Sequence, residues 1–475
     1  MASSIRGSAA PTSRRRVLAL ITVLTAQFML SMDLLIVVVA LPRIQQDLGF
    51  DPATLTWVLN AFGLAFGGLL LLGGRLGDMM GQVRAFRLGL AVFVLASLLG
   101  GLAPSPAILL IARVLQGMGA ALAGPSVLAL VILTARDETE QARGMSLFIA
   151  VSTIGASAGM ILGGALTEFL SWRWSLLINI PVGIVVVLAI GRLVAETHPK
   201  QTRLDIVGAL TATLGSVALV YGFISAAENG WGSVNTIPSF FAALVLFVTF
   251  VRTERRHKEP LLDLRLLRDR SRLGGLAVMA LIVGVHFAVL FMLVQYFQQI
   301  LGYSPLVAGL AYMPLTATVF AISQFVPPLI SRFGSGILLA TGSALVGVSL
   351  IGLAALTEGD GYFPAVLIPL LIHAVGMVFA PGTVAIMHGV PNEHAGAASG
   401  LLQMDQQIGG ALGIAVITSI YASAAVPGDY ASGLPSAFGG GAVIALVAAV
   451  IAWLSVRGGR HGERGDPFGA KRDLR

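Results

Sequence analysis

The sequence predicts an all-α polytopic membrane protein with fourteen spanning helices. Three observations lead there. Of 475 residues, 56% are hydrophobic and only 11% charged, whereas a soluble domain carries about 25% charged residues. The mean hydropathy is +0.87. The apolar residues gather in continuous runs near the ~20 residues that cross a bilayer as a helix. Strands of a membrane β-barrel would instead alternate over about ten residues.

In order, the runs are α1 17–41, α2 54–74, α3 87–103, α4 107–132, α5 145–167, α6 174–191 and α7 206–226. They continue as α8 237–252, α9 273–296, α10 305–330, α11 337–356, α12 363–388, α13 396–424 and α14 435–456. The start MASSIRGSAAPTSRRR is basic, like a signal peptide. The apolar run after Arg16 is too long for one and lacks a clear small-residue cleavage site. Residues 1–16 are therefore expected to remain as a cytoplasmic tail, matched by a second tail at 457–475. With the N-terminus inside, 27 of 30 basic residues fall in cytoplasmic segments. Only Arg43 and Arg173 fall outside, and Arg113 lies within α4. That bias fixes the expected orientation, both termini cytoplasmic; the Ala/Gly/Leu/Arg-rich composition points to a bacterial inner membrane. Trp57, Trp172, Trp174 and Trp231 mark the outer boundary and Trp453 the inner one, as interfacial aromatics do.

The net charge of +7 follows from this bias, so no nucleic-acid partner is inferred. The longest charged stretch, Glu254 to Arg270, reads as a basic loop against anionic lipid. The chain has no cysteine, which excludes disulfides and thiolate metal sites. It carries no G-x-x-x-x-G-K-[ST] phosphate loop and no H-E-x-x-H zinc helix. Neither enzyme activity, cofactor nor metal is expected.

Charge at membrane depth is expensive and marks function or pairing. Asp33 in α1 lies about 12 Å below the expected outer end of its helix, by the 1.5 Å rise per residue. Arg113 in α4 is always charged and needs a partner; Asp33, in the same half of the chain, is the natural one. His286 in α9 and His373 in α12 change charge readily near neutral pH. Asp405 in α13 stands among Gln403, Gln406 and Gln407. Glu168 is placed at the outer mouth.

Four motifs carry a family resemblance. Asp33 leads an apolar run into Ala40-Leu41-Pro42. Gly74-Arg-Leu-Gly-Asp78-Met-Met-Gly81-Gln-Val-Arg84 joins α2 to α3, with glycines for a tight turn and Asp78 suited to a helix N-terminus. Arg113-Val-Leu-Gln116-Gly117 opens the motif of α4. Gly155-x-x-x-Gly159-x-x-x-Gly163-Gly164 forms a flat groove on α5, followed by Trp172-Arg173-Trp174 and Asn179-x-Pro181-x-Gly183.

Together these resemble the fourteen-helix drug:proton antiporters of the major facilitator superfamily. Lesser matches at Gly230-Trp231, Pro260 to Asp263, Gln298 to Pro305, Ala395-Gly396 and Gly409 to Gly413 extend it over nearly the whole chain. Met79 stands where the family has arginine, and Met160 where it has proline.

The resemblance implies two six-helix bundles, 17–196 and 273–456, with α7 and α8 inserted between them in 197–272. It implies a proton-coupled antiporter, acting as a monomer, that exports drugs, antibiotics or other amphipathic small molecules. Asp33, Arg113 and Asp405 are assigned to proton coupling. His286, His373, Gln116 and Gln298 are assigned to the cavity; in the family α1, α4, α9 and α12 line it. Gly74, Asp78, Gly81, Arg84, Gly155, Gly159, Gly163 and Gly164 serve conformational change. A proton-coupled importer of a nutrient on the same fold, or more remotely a non-transporting sensor, are the alternatives.

Overall fold

The computed structural model describes residues 13–51, 54–194, 196–197, 205–257, 269–357, 359–377, 379–387, 395–426 and 429–456. The Pro260 to Asp263 match, most of the basic loop before α9 and most of both tails lie outside the described residues. Among the described residues, fourteen helices are long and apolar enough to cross a membrane. They are α1 Arg14–Leu48, α2 Thr54–Met80, α3 Gln82–Gly101, α4 Pro106–Thr134, α5 Thr139–Phe169, α6 Trp174–Leu193 and α7 Ile206–Ala226. There follow α8 Thr236–Arg256, α9 Arg270–Ile300, α10 Pro305–Ser323, α11 Ser335–Ala354, α12 Tyr362–Met387, α13 Gly400–Ala424 and α14 Leu434–Ser455. An even number of crossings returns the last helix to the face where the first began, here termed the terminal face.

Local chemistry explains several boundaries. Asp137, Asp205 and Asp269 each accept a backbone N–H three residues on, at 2.7–2.8 Å, and so start α5, α7 and α9. Ser304 caps α10, with Pro305 in the first helical position. One expectation is corrected. α1 does not close at Pro42 but runs on to Leu48. Proline removes one N–H, yet packed neighbours tolerate this in a membrane helix. The helix stops instead at Gly49, whose φ of 72° suits glycine. Asp33 therefore lies deeper from the helix end than expected.

α10 is also less regular than expected. It breaks at Ala311 and Tyr312 and again before a last short helix, Val326–Phe333. α12 breaks at Met377. In the loop between α11 and α12, the Thr357 hydroxyl and backbone N–H donate to Asp360 and hold its carboxyl below the ordinary range.

The helices pack as two similar bundles. α1 packs on α5 and α6, α2 on α4, and α3 on α4 and α6. Eight helices later the same pairings recur: α9 with α13 and α14, α10 with α12, and α11 with α12 and α14. α7 and α8 pair with each other, and α7 packs on α2 and α13. The bundles meet through α2 with α13 and α5 with α10, again equivalent pairs. Leu95, Val185, Leu244 and Trp453 present most of their surface outward, as expected where lipid is the solvent.

Candidate functional site

Asp33 and Arg113 are brought together. Arg113 Nη1 lies 2.8 Å from Asp33 Oδ2, and the two residues are 0% and 1% exposed. Arg113 also donates from Nε to the Val58 carbonyl at 2.9 Å and from Nη1 to Gln116 Oε1 at 3.0 Å. Its guanidinium carbon stands 4.6 Å from the centre of the Phe62 ring, a cation–π contact. Asp33 Oδ1 accepts from Asn179 Nδ2 at 2.7 Å and Gln116 Nε2 at 3.3 Å. The Gln116 amide also donates to the Ser97 hydroxyl at 2.8 Å, and Ser97 in turn donates to Phe93. The site thus draws α1, α3, α4 and α6, and the α2 backbone, around one carboxylate.

Such a pair persists without water only if its other hydrogen-bonding positions are met. Both carboxylate oxygens are met here. Gln116 belongs to this sealed network rather than to an open cavity wall. Asn179 and Ser97 were not singled out as site residues from sequence. Asn179 sits in the Asn-x-Pro-x-Gly motif, which could have flagged it; Ser97, one small hydroxyl in an apolar run, carried no signal.

The glycine groove on α5 positions this carboxylate. A Cβ at Gly155 would lie 2.8 Å from the Phe28 carbonyl oxygen, and one at Gly159 2.5 Å from that of Met32. At Gly163 it would overlap the Ile36 carbonyl. The three glycines therefore seat the stretch of α1 on either side of Asp33 against α5. Gly164 faces the other way, toward the Pro305 carbonyl of α10, and Gly309 returns the contact to the Met160 carbonyl. Within the groove, Gly155-Ala-Ser157-Ala-Gly159 also fits the G-x-S-x-G pattern of a nucleophile elbow. Ser157 lies inside a continuous helix and donates to Thr153, so the strand–turn–helix geometry of an elbow is missing.

On the face opposite the termini the bundles are tied by polar contacts. Glu168 Oε2 accepts from Ser304 Oγ at 2.5 Å and from the Leu306 N–H at 2.9 Å, at the start of α10. Gln298 donates to the Val39 carbonyl at 2.8 Å, linking α9 to α1. Within the first bundle on the same face, Asp47 receives Arg173 at 2.5 Å and Trp172 Nε1 at 2.9 Å. α5 packs on Pro305–Leu310 rather than extensively on the later part of α10.

At the terminal face the α2–α3 motif folds around a residue missed in the sequence. Glu196, after α6, accepts from the backbone N–H of Val83 and Arg84, each at 3.0 Å. It also lies 3.8 Å from Arg84 Nε. Gly81 has φ 96°, and a Cβ there would overlap the Glu196 carboxylate. Glu196, not Asp78, caps α3; Asp78 accepts from Gln82 at 3.1 Å. Gly74 lies 3.7 Å, measured from its ideal Cβ, from Pro125 of α4.

The remaining candidates lie in the other bundle. His286 Nδ1 and His373 Nε2 are 3.2 Å apart, and Ser349 Oγ is 3.3 Å from His373 Nδ1. Asp405 is half-buried, and its Oδ2 has no hydrogen-bond partner among the described residues. The expected four-residue set, one on each of α1, α4, α9 and α12, is thus divided into two pairs, one inside each bundle.

An all-helical double bundle with a sealed ion pair in its first half defines a polytopic membrane transporter. Residues 23–414 match the family model of the Major Facilitator Superfamily, and the chain belongs to that superfamily. It is 38% identical over 414 residues to the uncharacterized MFS-type transporter EfpA of Mycobacterium tuberculosis, covering 86% of this chain and 78% of that one. It is 37% identical over 442 residues to the cephamycin export protein CmcT of Amycolatopsis lactamdurans, covering 91% of each. It is 35% identical over 464 residues to the puromycin resistance protein pur8 of Streptomyces alboniger, covering 93% and 92%. A solved peptide transporter, POT, superposes with a TM-score of 0.67 at 16% identity over 92% of this chain and 93% of that one. The chain is thus a multi-pass transporter related to drug and antibiotic exporters.

Proposed function

We propose that the chain is a proton-driven exporter of amphipathic small molecules, with Asp33 as the carboxylate that binds the coupling proton. The observation that carries this reading is the enclosed Asp33–Arg113 pair. In the state described, Arg113, Gln116 and Asn179 all donate to Asp33. A proton on Asp33 removes the charge that Arg113 pairs with, and the new O–H faces a guanidinium that can only donate and two amides that must turn their oxygens to accept it. The network must rearrange, and α1, α3, α4 and α6 are the helices it ties together. A proton thereby binds the two arrangements with different affinity, which is what coupling requires.

The terminal face is taken as cytoplasmic, in line with the basic residues of the loops that open there. The tie of Glu168 to Ser304 and Leu306 then closes the outer side, and substrate enters between the bundles from the cytoplasm. Relatives that are named for cephamycin export and puromycin resistance support export of antibiotic-like molecules. The test is an efflux and resistance screen in a pump-deficient bacterium, with and without an uncoupler. The wild-type chain is expected to lower accumulation of one or more compounds only while the proton gradient stands. Uncoupler-insensitive efflux, or full activity of Asp33→Asn, overturns the assignment.

A further inference from the structure

The polar groups of the second bundle occupy places equivalent to those of the first. Gly81 turns the chain into α3 with φ 96° and ψ 142°, and Gly334 turns it into α11 with φ 81° and ψ 159°. Ser97 lies sixteen residues after Gly81, and Ser349 fifteen after Gly334. On α1 and α4, whose side chains meet in the network that Ser97 joins, stand Asp33 and Arg113. On α9 and α12, their equivalents, stand His286 and His373. Ser97 meets the first network through Gln116 on α4, and Ser349 meets His373 on α12 directly. The first bundle's polar cluster thus has a counterpart built from neutral-capable groups.

The chemistry of this counterpart is specific. The 3.2 Å between His286 Nδ1 and His373 Nε2 is a hydrogen-bond distance, with the rings only 20° from parallel. Such a bond needs one proton between the two nitrogens. In the neutral pair one ring donates and the other accepts. A single added proton can sit on a ring nitrogen outside this bond and leave the bond intact. A second added proton would set two N–H groups against each other. Ser349 suits this change, because a hydroxyl donates to a bare Nδ1 and, after rotation, accepts from a protonated one. His373 is fully buried and His286 half-buried, so the proton has one ring through which to arrive.

The surroundings hold little competing charge. α11, α14, the Met313–Ser323 part of α10 and the Phe379–Met387 part of α12 carry no ionisable side chain; Tyr312 of α10 is buried and donates to the Leu290 carbonyl of α9 at 2.9 Å. Asp405 is the only charged residue of α13. α1 brings Asp33 at depth, with Arg14, Arg15, Arg16, Arg43 and Asp47 toward its ends. α9 itself carries Arg270 and Arg272 at its start and Tyr296 near its end, and Tyr362 opens α12.

We propose that His286, His373 and Ser349 form a second proton-binding site, which takes one proton shared between the two rings. Proton binding here stands apart from Asp33; only its use in transport rests on the proton-driven reading above.

The test is a potentiometric titration of the purified full chain in lipid nanodiscs, from about pH 8 to about pH 4, a window around the ordinary histidine value. Wild type is compared with His286→Asn, His373→Asn and the double variant. Each single variant is expected to keep one titrating imidazole with a shifted midpoint and so lose no proton, and the double variant to take up one proton fewer than wild type. Two protons lost in the double variant would mean independent histidines and overturn the shared site; no proton lost in the double variant would overturn it altogether.

Should the asparagine variants fail to fold, ring-nitrogen NMR of histidine-labelled wild type reads the same pair. One shared N–H···N resonance that titrates by one proton supports the site, and its absence overturns it. Ser349→Ala is expected to leave the proton count unchanged and shift the midpoint; an unshifted midpoint removes Ser349 from the site. Asp33→Asn is expected to leave the histidine proton in place. Normal gradient-driven transport by that variant would therefore refute the role of Asp33 while leaving the histidine site standing.

Discussion

Arg113 reaches Asp33 across 2.8 Å from a neighbouring helix, and neither side chain meets solvent. Arg113 does three tasks with one planar group: it binds the carboxylate, the Val58 carbonyl and Gln116. Removing one member of a buried pair strands the other and costs about 3–5 kcal/mol. Arg113→Ala is expected to lower thermal stability in detergent by an amount of that order. Arg113→Lys should not restore it, because a compact ammonium cannot reach all three acceptors in the fork geometry. Asp33→Asn combined with Arg113→Gln should recover much of the loss, since no charge is left unpaired. A double variant as unstable as Arg113→Ala would show that the ion pair is not what the site depends on.

The two faces of the α5 glycine groove should fail differently. Gly163→Ala drives a methyl into the Ile36 carbonyl, which is backbone and cannot swing aside. Overpacking of this kind costs about 1–3 kcal/mol, so a fall in melting temperature is expected. Gly164→Ala instead presses on the Pro305 carbonyl of the other bundle. It should shift the balance between open and closed arrangements with a smaller change in stability. The chain has no native cysteine, so single cysteines placed along α5 and α10 would report the shift by labelling rate. Equal labelling in wild type and Gly164→Ala would refute it.

Glu168 closes the same seam by binding the exposed start of α10. Ser304 Oγ and the Leu306 N–H both donate to one of its oxygens, so Glu168→Ala frees both at once. Faster labelling of cysteines on the side opposite the termini is the expected result. Glu168→Gln should be intermediate, because the amide oxygen still accepts but without charge. A rate unchanged in Glu168→Ala would mean that apolar packing alone holds the seam.

The Asp33–Arg113 pair was legible in the sequence because charges in membrane helices are rare enough to enumerate. Its remaining partners were not. Asn179 and Ser97 are small neutral residues on α6 and α3, and only packing brings them to the carboxylate. Glu196 stood among basic loop residues, and nothing local says that it caps a helix 113 residues earlier. The pairing of His286 with His373 was hidden for the same reason, although each histidine was visible. Helix count followed from apolar length, whereas the two bundles were only what the family resemblance implied. The end of α1 was misjudged because Pro42 reads as a stop in water, whereas in this bundle the helix carries it and gains the turn that presents Asp47 to Trp172 and Arg173.

Asp405 poses the sharpest remaining contrast between stability and function. Its Oδ2 is enclosed yet has no hydrogen-bond partner among the described residues. Burying an unpaired carboxyl is costly, most of all when it is ionised. Asp405→Asn is expected to raise the melting temperature of the purified chain at alkaline pH, where the carboxyl would otherwise carry a charge to desolvate. If Asp405 takes part in coupling, as assigned from sequence, the same variant loses transport driven by a pH gradient while exchange of substrate without a gradient persists. Stability gained as coupled activity is lost is the pattern of a group kept at a cost for its function. A variant that is both more stable and fully coupled would remove Asp405 from the mechanism and leave proton binding to Asp33 and the histidine pair.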